Sequence, residues 1–251
     1  MKLGGLLKMT LLDFPGRVAC TVFTRGCDFR CPFCHNASLV THLEEEFAVS
    51  DFFSFLEKRR GMLDGVCISG GEPLLQPDIA DFLGRIRALG YATKLDTNGA
   101  HPDVLSALIG QGLVDYVAMD IKNSPENYAR TVGLPSMPSG VFDSVSLLLS
   151  GVVPYEFRTT VVDELHEASD FAAIGEWIGG AERYFLQKFT DSGDLIGEGL
   201  SAPSNEKLRA CLAAVLPYVP PSTCIERFCL RTIPRSVFIL SAASRFNRCI
   251  V

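Results

Sequence analysis

The sequence lacks the features of several protein classes. No apolar run in its 251 residues approaches the roughly 18 residues that a membrane-spanning helix needs, and no secretory cleavage site follows an apolar core near the start. Its 23 lysines and arginines are outnumbered by 29 aspartates and glutamates, and the net charge is −6. The protein therefore lacks the net positive charge that would attract the phosphate backbone of a nucleic acid. We expect a cytoplasmic protein that binds neither membranes nor nucleic acid.

Low-complexity tracts and internal repeats are also missing. A composition of 47% hydrophobic and 21% charged residues is typical of an ordinary globular protein. We predict a single domain over residues 1–228 and a C-terminal extension over 229–251, which is basic and apolar where the body is acidic. The extension is consistent with an edge strand, a docking segment for a partner, or a tail without function, and we favour the last.

Short apolar runs rich in β-branched residues alternate with helical periodicity. We predict strands at 18–24, 65–69, 91–96, 115–121, 156–162 and 184–189. We predict helices at 51–60 (capped by Ser50), 76–89 (with Pro77 in its first turn), 102–110, 139–150, 167–178 and 204–216.

Strand–helix repeats without hairpin signals indicate an α/β fold with parallel strands and right-handed crossovers. A closed barrel of this type has eight units, so six units predict a laterally open, partial (β/α)6 barrel, or else a flat doubly wound sheet. Periodicity alone does not separate the two. In both, the functional residues are expected at the carboxyl ends of the strands.

Three of the nine cysteines lie within eight residues, directly after the first predicted strand: Cys27, Cys31 and Cys34. Thiols so close in sequence indicate a shared metal or cluster. A zinc site normally has four ligands, and His35 is a strained fourth because it adjoins Cys34. A four-iron cluster is usually held by four thiolates, so three would leave one iron open for another ligand.

This Cys-x3-Cys-x2-Cys pattern, with Phe33 before the last cysteine and Gly70-Gly71-Glu72-Pro73 after the next strand, resembles the radical S-adenosylmethionine (SAM) superfamily. The resemblance implies a [4Fe–4S] cluster held by three cysteines, with S-adenosylmethionine on the fourth iron. Reductive cleavage of S-adenosylmethionine would then give methionine and a 5′-deoxyadenosyl radical that abstracts hydrogen.

Further segments resemble the glycyl-radical activating enzymes within that superfamily: residues 10–16, 25–27, 34–36, 95–99 and 119–122. The likeness is greatest to activases of anaerobic ribonucleoside-triphosphate reductase, with pyruvate formate-lyase activase as near kin. It implies a protein partner whose glycine Cα loses a hydrogen atom, and an electron donor such as flavodoxin or ferredoxin. Between residues 36 and 66 no second cysteine group occurs, which disfavours activases that carry a ferredoxin-like insert.

The resemblance also implies roles for individual residues, in addition to the three cluster ligands. The expected contacts with S-adenosylmethionine are Phe33 and His35 at the adenosine, Gly70, Gly71 and Glu72 at the methionyl amine, Lys122 and Arg158 at the carboxylate, and Gln187 at the ribose or adenine. Lys122 is also expected to act in catalysis. Asp96, Thr97 and Asp120 are expected to hold a monovalent cation, for which oxygen ligands are suited.

Several of these residues also have a structural interpretation. Glu72 would brace its loop, Lys122 would reach solvent, and Arg158 would form an ion pair with Asp120 or Asp96. Outside the site, we predict Cys20 and Cys67 as core residues and exposed positions for His42, His101 and His166. The glycine-rich segment 190–199 is expected near the mouth of the site.

Three other functions remain alternatives to a reductase activase. The first is a pyruvate formate-lyase activase, and the second is a radical enzyme that acts on a small molecule such as a deazapurine precursor. The third is a non-catalytic iron–sulfur or zinc module. A module of that kind would not need polar motifs at four successive strand ends, so we favour an activase.

Overall fold

The computed structural model describes residues 1–41, 47–219 and 224–227, the last four by their backbone. Its strands form a single sheet in chain order. Their bounds are β1 Leu3–Thr10, β2 Ala19–Thr24, β3 Gly65–Gly70, β4 Ala92–Thr97, β5 Tyr116–Asp120, β6 Tyr155–Val161, β7 Tyr184–Lys188 and β8 Cys224–Arg227.

Strand direction and order determine the architecture. The seven strands β2 to β8 are parallel, and β1 runs antiparallel to β2 at one edge. A doubly wound sheet reverses its strand order at a switch point, whereas this order never reverses, which excludes that alternative. The first and last described strands do not pair with each other, so the predicted open, partial barrel is confirmed. All six predicted strands are present, and β1 and β8 are additional.

The helices connect the strands. Their bounds are α1 Ala37–Thr41, α2 Val49–Lys58, α3 Ile79–Ala88, α4 Pro102–Gly110, α5 Tyr128–Val132, α6 Gly140–Leu149, α7 Ala168–Trp177 and α8 Asn205–Val215, with a 3₁₀ turn at Pro73–Leu75.

Two predicted helix starts are wrong. The N-cap of α2 is Ala48, so Ser50 lies inside the helix and does not cap it. Helix α3 begins at Ile79, and Pro77 therefore precedes it. Helix α8 does have a side-chain cap, since the Ser204 hydroxyl accepts a hydrogen bond from the backbone N–H of Lys207 at 3.1 Å.

The core lies between the sheet and its helices. Strand β2 is buried along its whole length, as expected of a parallel strand covered on both faces. Phe52 of α2 stacks on Phe82 of α3 with ring centroids 5.3 Å apart. Cys20 and Cys67 are fully buried, which confirms them as core residues.

The predicted exposure of the histidines is not confirmed where the structure describes them. His166 is 1% exposed, and the prediction of an exposed ring is wrong. Its Nδ1 accepts a hydrogen bond from the Val162 backbone N–H at 3.1 Å, and its Nε2 lies 2.8 Å from the Lys122 carbonyl oxygen, so the ring links two strand ends. His101 is half-buried against Asp28. His42 and the predicted extension lie outside the described residues.

In the described ranges, no helix combines the length and apolar character needed to cross a lipid bilayer.

Candidate active site

An open cavity lies at the carboxyl ends of the parallel strands. It brings together thirteen predicted site residues: Cys27, Cys31, Phe33, Cys34, His35, Gly70, Gly71, Asp96, Thr97, Asp120, Lys122, Arg158 and Gln187. Glu72, the remaining predicted contact, does not line the cavity.

The three thiols lie on the loop that follows β2. Burial raises the pKa of all three, that of Cys31 to about 12. The thiols are therefore protonated at neutral pH in the protein alone. Binding of a metal or cluster requires thiolates, so it must release protons from this loop.

The cysteine loop is fixed to neighbouring elements by its backbone. The Arg30 N–H donates to the Val132 carbonyl at the end of α5, at 2.8 Å, and the Cys34 N–H donates to the Cys31 carbonyl at 3.1 Å. Phe29 packs edge-on against Tyr128, with ring centroids 6.4 Å apart. These contacts hold the cysteines in a defined arrangement facing the cavity.

Gly70 and Gly71 join the end of β3 to the loop after β2. Gly70 has a φ of +117°, which an L side chain rarely adopts, and a Cβ there would lie 2.4 Å from backbone atoms of Thr24. The Gly71 N–H donates to the Thr24 carbonyl at 3.0 Å. This turn therefore requires glycine because two protein backbones meet there.

Glu72 braces the loops after β3 and β4. Its carboxylate is fully buried and accepts hydrogen bonds from the Leu74 N–H (3.0 Å), the Thr97 hydroxyl (2.9 Å) and the Asn98 N–H (2.7 Å). Burial raises its pKa to about 7, although these donors oppose the shift. The bracing role matches the structural interpretation of Glu72.

Alternating charges extend from the sheet interior to the cavity. Arg158 lies between two carboxylates, with Nε 3.0 Å from Asp120 Oδ1 and Nη1 3.6 Å from Asp96 Oδ2. Lys122 Nζ is 2.8 Å from Asp120 Oδ2. Although burial alone would raise the pKa of Asp120, Lys122 and Arg158 hold it at about 2. Both ion pairs considered for Arg158 are therefore present.

Lys94 is a charged residue that sequence reasoning missed. It is 1% exposed, and its Nζ lies 2.5 Å from Asp96 Oδ1. The sequence does contain a signal for this ion pair. Lys94 lies in strand β4 two residues before Asp96, and residues two apart in a strand project from the same face. Lys94 and Arg158 also interact electrostatically with the buried Glu156, so carboxylates surround the buried cations.

His35 joins the cysteine loop to segment 190–199. Its Nε2 lies 2.7 Å from the Thr190 carbonyl oxygen, and its ring stacks on Phe189 with centroids 5.4 Å apart. The Gly197 N–H donates to the Pro32 carbonyl at 2.8 Å. The glycine-rich segment is thus at the mouth of the site, as its sequence predicts, and it contacts the cysteine loop directly.

The donor set of the cavity tests which group could bind there. Among the described residues, no group of three or more His, Cys, Asp or Glu side chains is arranged to hold one metal ion. All three thiols nevertheless face one cavity. Lys122 and Arg158, which line the cavity, are the cations that a bound carboxylate would meet.

Comparison with known proteins points to the same chemistry. Residues 21–164 match the family model of the radical SAM superfamily. A protein of Methanocaldococcus jannaschii with the provisional name glycyl-radical enzyme activating enzyme is 29% identical over 82% of this chain and 88% of its own length. The pyruvate formate-lyase-activating enzyme of Listeria monocytogenes is 32% identical over 68% of this chain and 73% of its own length.

A solved domain of a pyruvate formate-lyase-activating enzyme from Bacteroides vulgatus shares the fold. Its TM-score is 0.53 at 18% identity, over 65% of this chain and 98% of that chain. The family uses a [4Fe–4S] cluster and S-adenosylmethionine, which agrees with the three thiols and the cavity beside them. The chain is thus an enzyme of the radical SAM superfamily and belongs to its glycyl-radical enzyme activating enzymes.

Proposed function

We propose that this enzyme generates the glycyl radical of anaerobic ribonucleoside-triphosphate reductase. The main support for this proposal is the position of the cavity that contains the three thiols. It lies at the end of a sheet whose first and last described strands do not pair with each other. A radical on a partner's backbone requires that a loop of the partner reach the site. A laterally open sheet permits such an approach, whereas a closed barrel would obstruct it.

The proposed chemistry removes one hydrogen atom from a glycine Cα of the partner. The bound cluster and S-adenosylmethionine, given one electron by a donor such as flavodoxin or ferredoxin, supply the carbon radical that accepts this atom. Cys27, Cys31 and Cys34 hold the cluster. Lys122 and Arg158 bind the carboxylate of S-adenosylmethionine, and Asp120 orients both cations through its two oxygens.

The other cofactor contacts belong to the same proposal. Phe33 and His35 flank the adenosine, Gln187 approaches the ribose or adenine, and Gly70 and Gly71 lie beside the methionyl amine. Glu72 acts on that amine only through the loops it braces. The monovalent cation expected at Asp96, Thr97 and Asp120 stays a prediction, supported by the three side chains lining one cavity.

Pyruvate formate-lyase is the second candidate partner, favoured by the similarity to the Listeria enzyme. The reductase is preferred because, among the glycyl-radical activating enzymes that these motifs resemble, the likeness is greatest to its activases. Both partners belong in the cytoplasm, which is where we place the reaction.

The test is anaerobic reconstitution with iron and sulfide, followed by reduction and addition of S-adenosylmethionine with each partner in parallel. We expect a glycine-centred doublet in electron paramagnetic resonance (EPR) on the reductase, together with 5′-deoxyadenosine, and no doublet on pyruvate formate-lyase. The reverse pattern would assign the formate-lyase. Deoxyadenosine without a radical on either partner would contradict activation of these enzymes and favour a small-molecule substrate.

A matched control uses the partner itself. Replacing the radical-bearing glycine of the reductase with alanine should abolish the doublet, because alanine at that position lacks the accessible glycine Cα. Persistence of the doublet in that variant would place the radical elsewhere and overturn the proposal.

A further inference from the structure

Cys27 differs in its surroundings from a simple thiol ligand because polar groups of two loops meet at its sulfur. The Phe29 backbone N–H donates to Sγ at 3.4 Å. The side-chain amide nitrogen of Asn98, from the loop after β4, lies 3.9 Å from the same sulfur. One ligand of the cluster therefore has an amide donor that comes from outside the cysteine loop.

The orientation of the Asn98 amide is fixed by its neighbours. Its Oδ1 accepts the Ala100 backbone N–H at 2.9 Å, so Nδ2 must be on the side of Cys27. That nitrogen also donates to Asp28 Oδ1 at 2.8 Å. The Asn98 backbone N–H donates to Glu72 Oε2 at 2.7 Å, which anchors the residue itself. With two N–H groups, the amide can serve the carboxylate and the sulfur together.

Asp28 contacts both His101 and the Cys27 sulfur. Its Oδ2 lies 3.0 Å from His101 Nε2, and its Oδ1 lies 3.8 Å from Cys27 Sγ. A protonated thiol can donate to this carboxylate, but a thiolate bound to a cluster cannot. The carboxylate and the thiolate then repel each other, and the Asn98 amide is the group that lies against both.

We propose that Asn98, positioned by Asp28 and His101, raises the reduction potential of the cluster by donating a hydrogen bond to the Cys27 sulfur. Reduction adds negative charge to the cluster and its sulfurs. A donor to a ligand sulfur stabilises the reduced state, whereas a nearby carboxylate destabilises it. Asn98 and Asp28 therefore act on the potential with opposite signs. The inference rests on the cluster and is independent of the partner enzyme.

The test is an EPR-monitored redox titration of the reconstituted enzyme without any partner. Asn98→Ala removes the donor and leaves the carboxylate, so it should lower the midpoint potential. We expect the ratio of reduced to oxidised cluster at a fixed potential to fall about tenfold, which is about 59 mV for a one-electron couple. Asp28→Asn removes the negative charge and should shift the midpoint in the opposite direction.

Asn127→Ala is the matched control. Asn127 also donates its side-chain amide to a carboxylate, that of Asp170 at 2.7 Å, but away from the cavity. Its midpoint should equal that of the unmodified enzyme.

Equal midpoints in Asn98→Ala and the unmodified enzyme, or shifts of the same sign in Asn98→Ala and Asp28→Asn, would overturn the inference. If Asn98→Ala assembles no cluster, Asp28→Asn alone decides by the sign of its shift. Failure of both variants to assemble a cluster would also contradict it, because a tuning role leaves assembly intact. A missing glycyl radical in the partner assay has no bearing on these measurements.

Discussion

Gly71 lies against the backbone of Gly26, so closely that a Cβ on Gly71 would stand 1.9 Å from the Gly26 carbonyl oxygen. Gly26 immediately precedes Cys27, the first cysteine of the cysteine loop, and has a φ of +86°. The close approach of the Gly70–Gly71 turn to the cysteine loop thus depends on the missing side chain of Gly71, whereas Gly26 needs glycine for its positive φ. Resemblance to the radical SAM superfamily implies that Gly70 and Gly71 approach a ligand, and the structure adds an approach between two protein segments.

Gly71→Ala should therefore lower the free energy of unfolding by about 3 kcal/mol, because the clash is with backbone and cannot be relieved by a rotamer change. It should also reduce the iron bound after reconstitution, since the cysteine loop must shift. Gly84→Ala is the control. Gly84 lies inside α3, and an added Cβ would have no atom within 4 Å beyond the helix's own backbone, so alanine should leave stability unchanged or raise it by up to about 1 kcal/mol. Chemical denaturation measures both, and equal stability of the two variants would contradict the close contact.

Cys31→Ala should prevent assembly of the four-iron cluster, because the thiolate at this position is one of the three proposed protein ligands. Iron and sulfide content and the visible absorbance of the reconstituted protein report the loss. Cys211→Ala removes a buried thiol of α8 that does not line the cavity, and it should retain the cluster. A full cluster in Cys31→Ala would remove this residue from the ligand set.

Lys122→Met should weaken binding of S-adenosylmethionine to the reconstituted enzyme by roughly ten- to a hundredfold, since a hydrogen bond to a charged group contributes about 1.5 to 3 kcal/mol. Calorimetry on the oxidised cluster measures this affinity without turnover. Lys188→Met, which removes a strand-end lysine bound to Asn205 outside the cavity, should bind as the unmodified enzyme does. Equal affinities of the two variants would exclude Lys122 as the carboxylate partner.

Glu72 should give the protein without its cluster a pH-dependent stability. Between the usual pKa of 4.5 and the raised value of about 7, the folded carboxyl keeps a proton that the unfolded chain has lost. This contribution is thus fully present below pH 4.5, and it is lost as the pH rises through 7. The loss amounts to about 3 kcal/mol. Urea unfolding from pH 5 to 8 should show this decline in the free energy of unfolding. The free energy of unfolding of Glu72→Gln should fall less over the same pH range, by that amount, whatever its absolute stability. Parallel curves would refute the raised pKa.

Much of the fold could be predicted from sequence because the six interior strands are apolar runs and most helices are long enough to show periodicity. Strand β1 escaped prediction because its two glycines weaken any strand pattern, and only its pairing with β2 makes it a strand. Helices α1 and α5, of five residues each, are too short for periodicity to register. Strand β8, of four residues, is similarly short.

The site residues that belong to sequence motifs could be predicted. Those that reach the site only through tertiary contacts could not. Spacing predicts a shared site for the three cysteines, resemblance adds Asp120 and Lys122, and all five line one cavity. The burial of Lys94 and His166, and the meeting of Asn98 with Cys27, depend on which strand ends come together in space. Sequence distance gives no signal of such contacts, because Asn98 and Cys27 are 71 residues apart.

The strand order of the sheet has a consequence for how the chain reaches its native state. Every described strand pairs only with its immediate neighbours along the chain, so no strand must be inserted between two others after they have formed. Each new strand can therefore add to an edge that is already complete, in the order in which a ribosome releases the chain. Loop closure at each step spans only the connection between two consecutive strands, and the conformational search is divided into short stages.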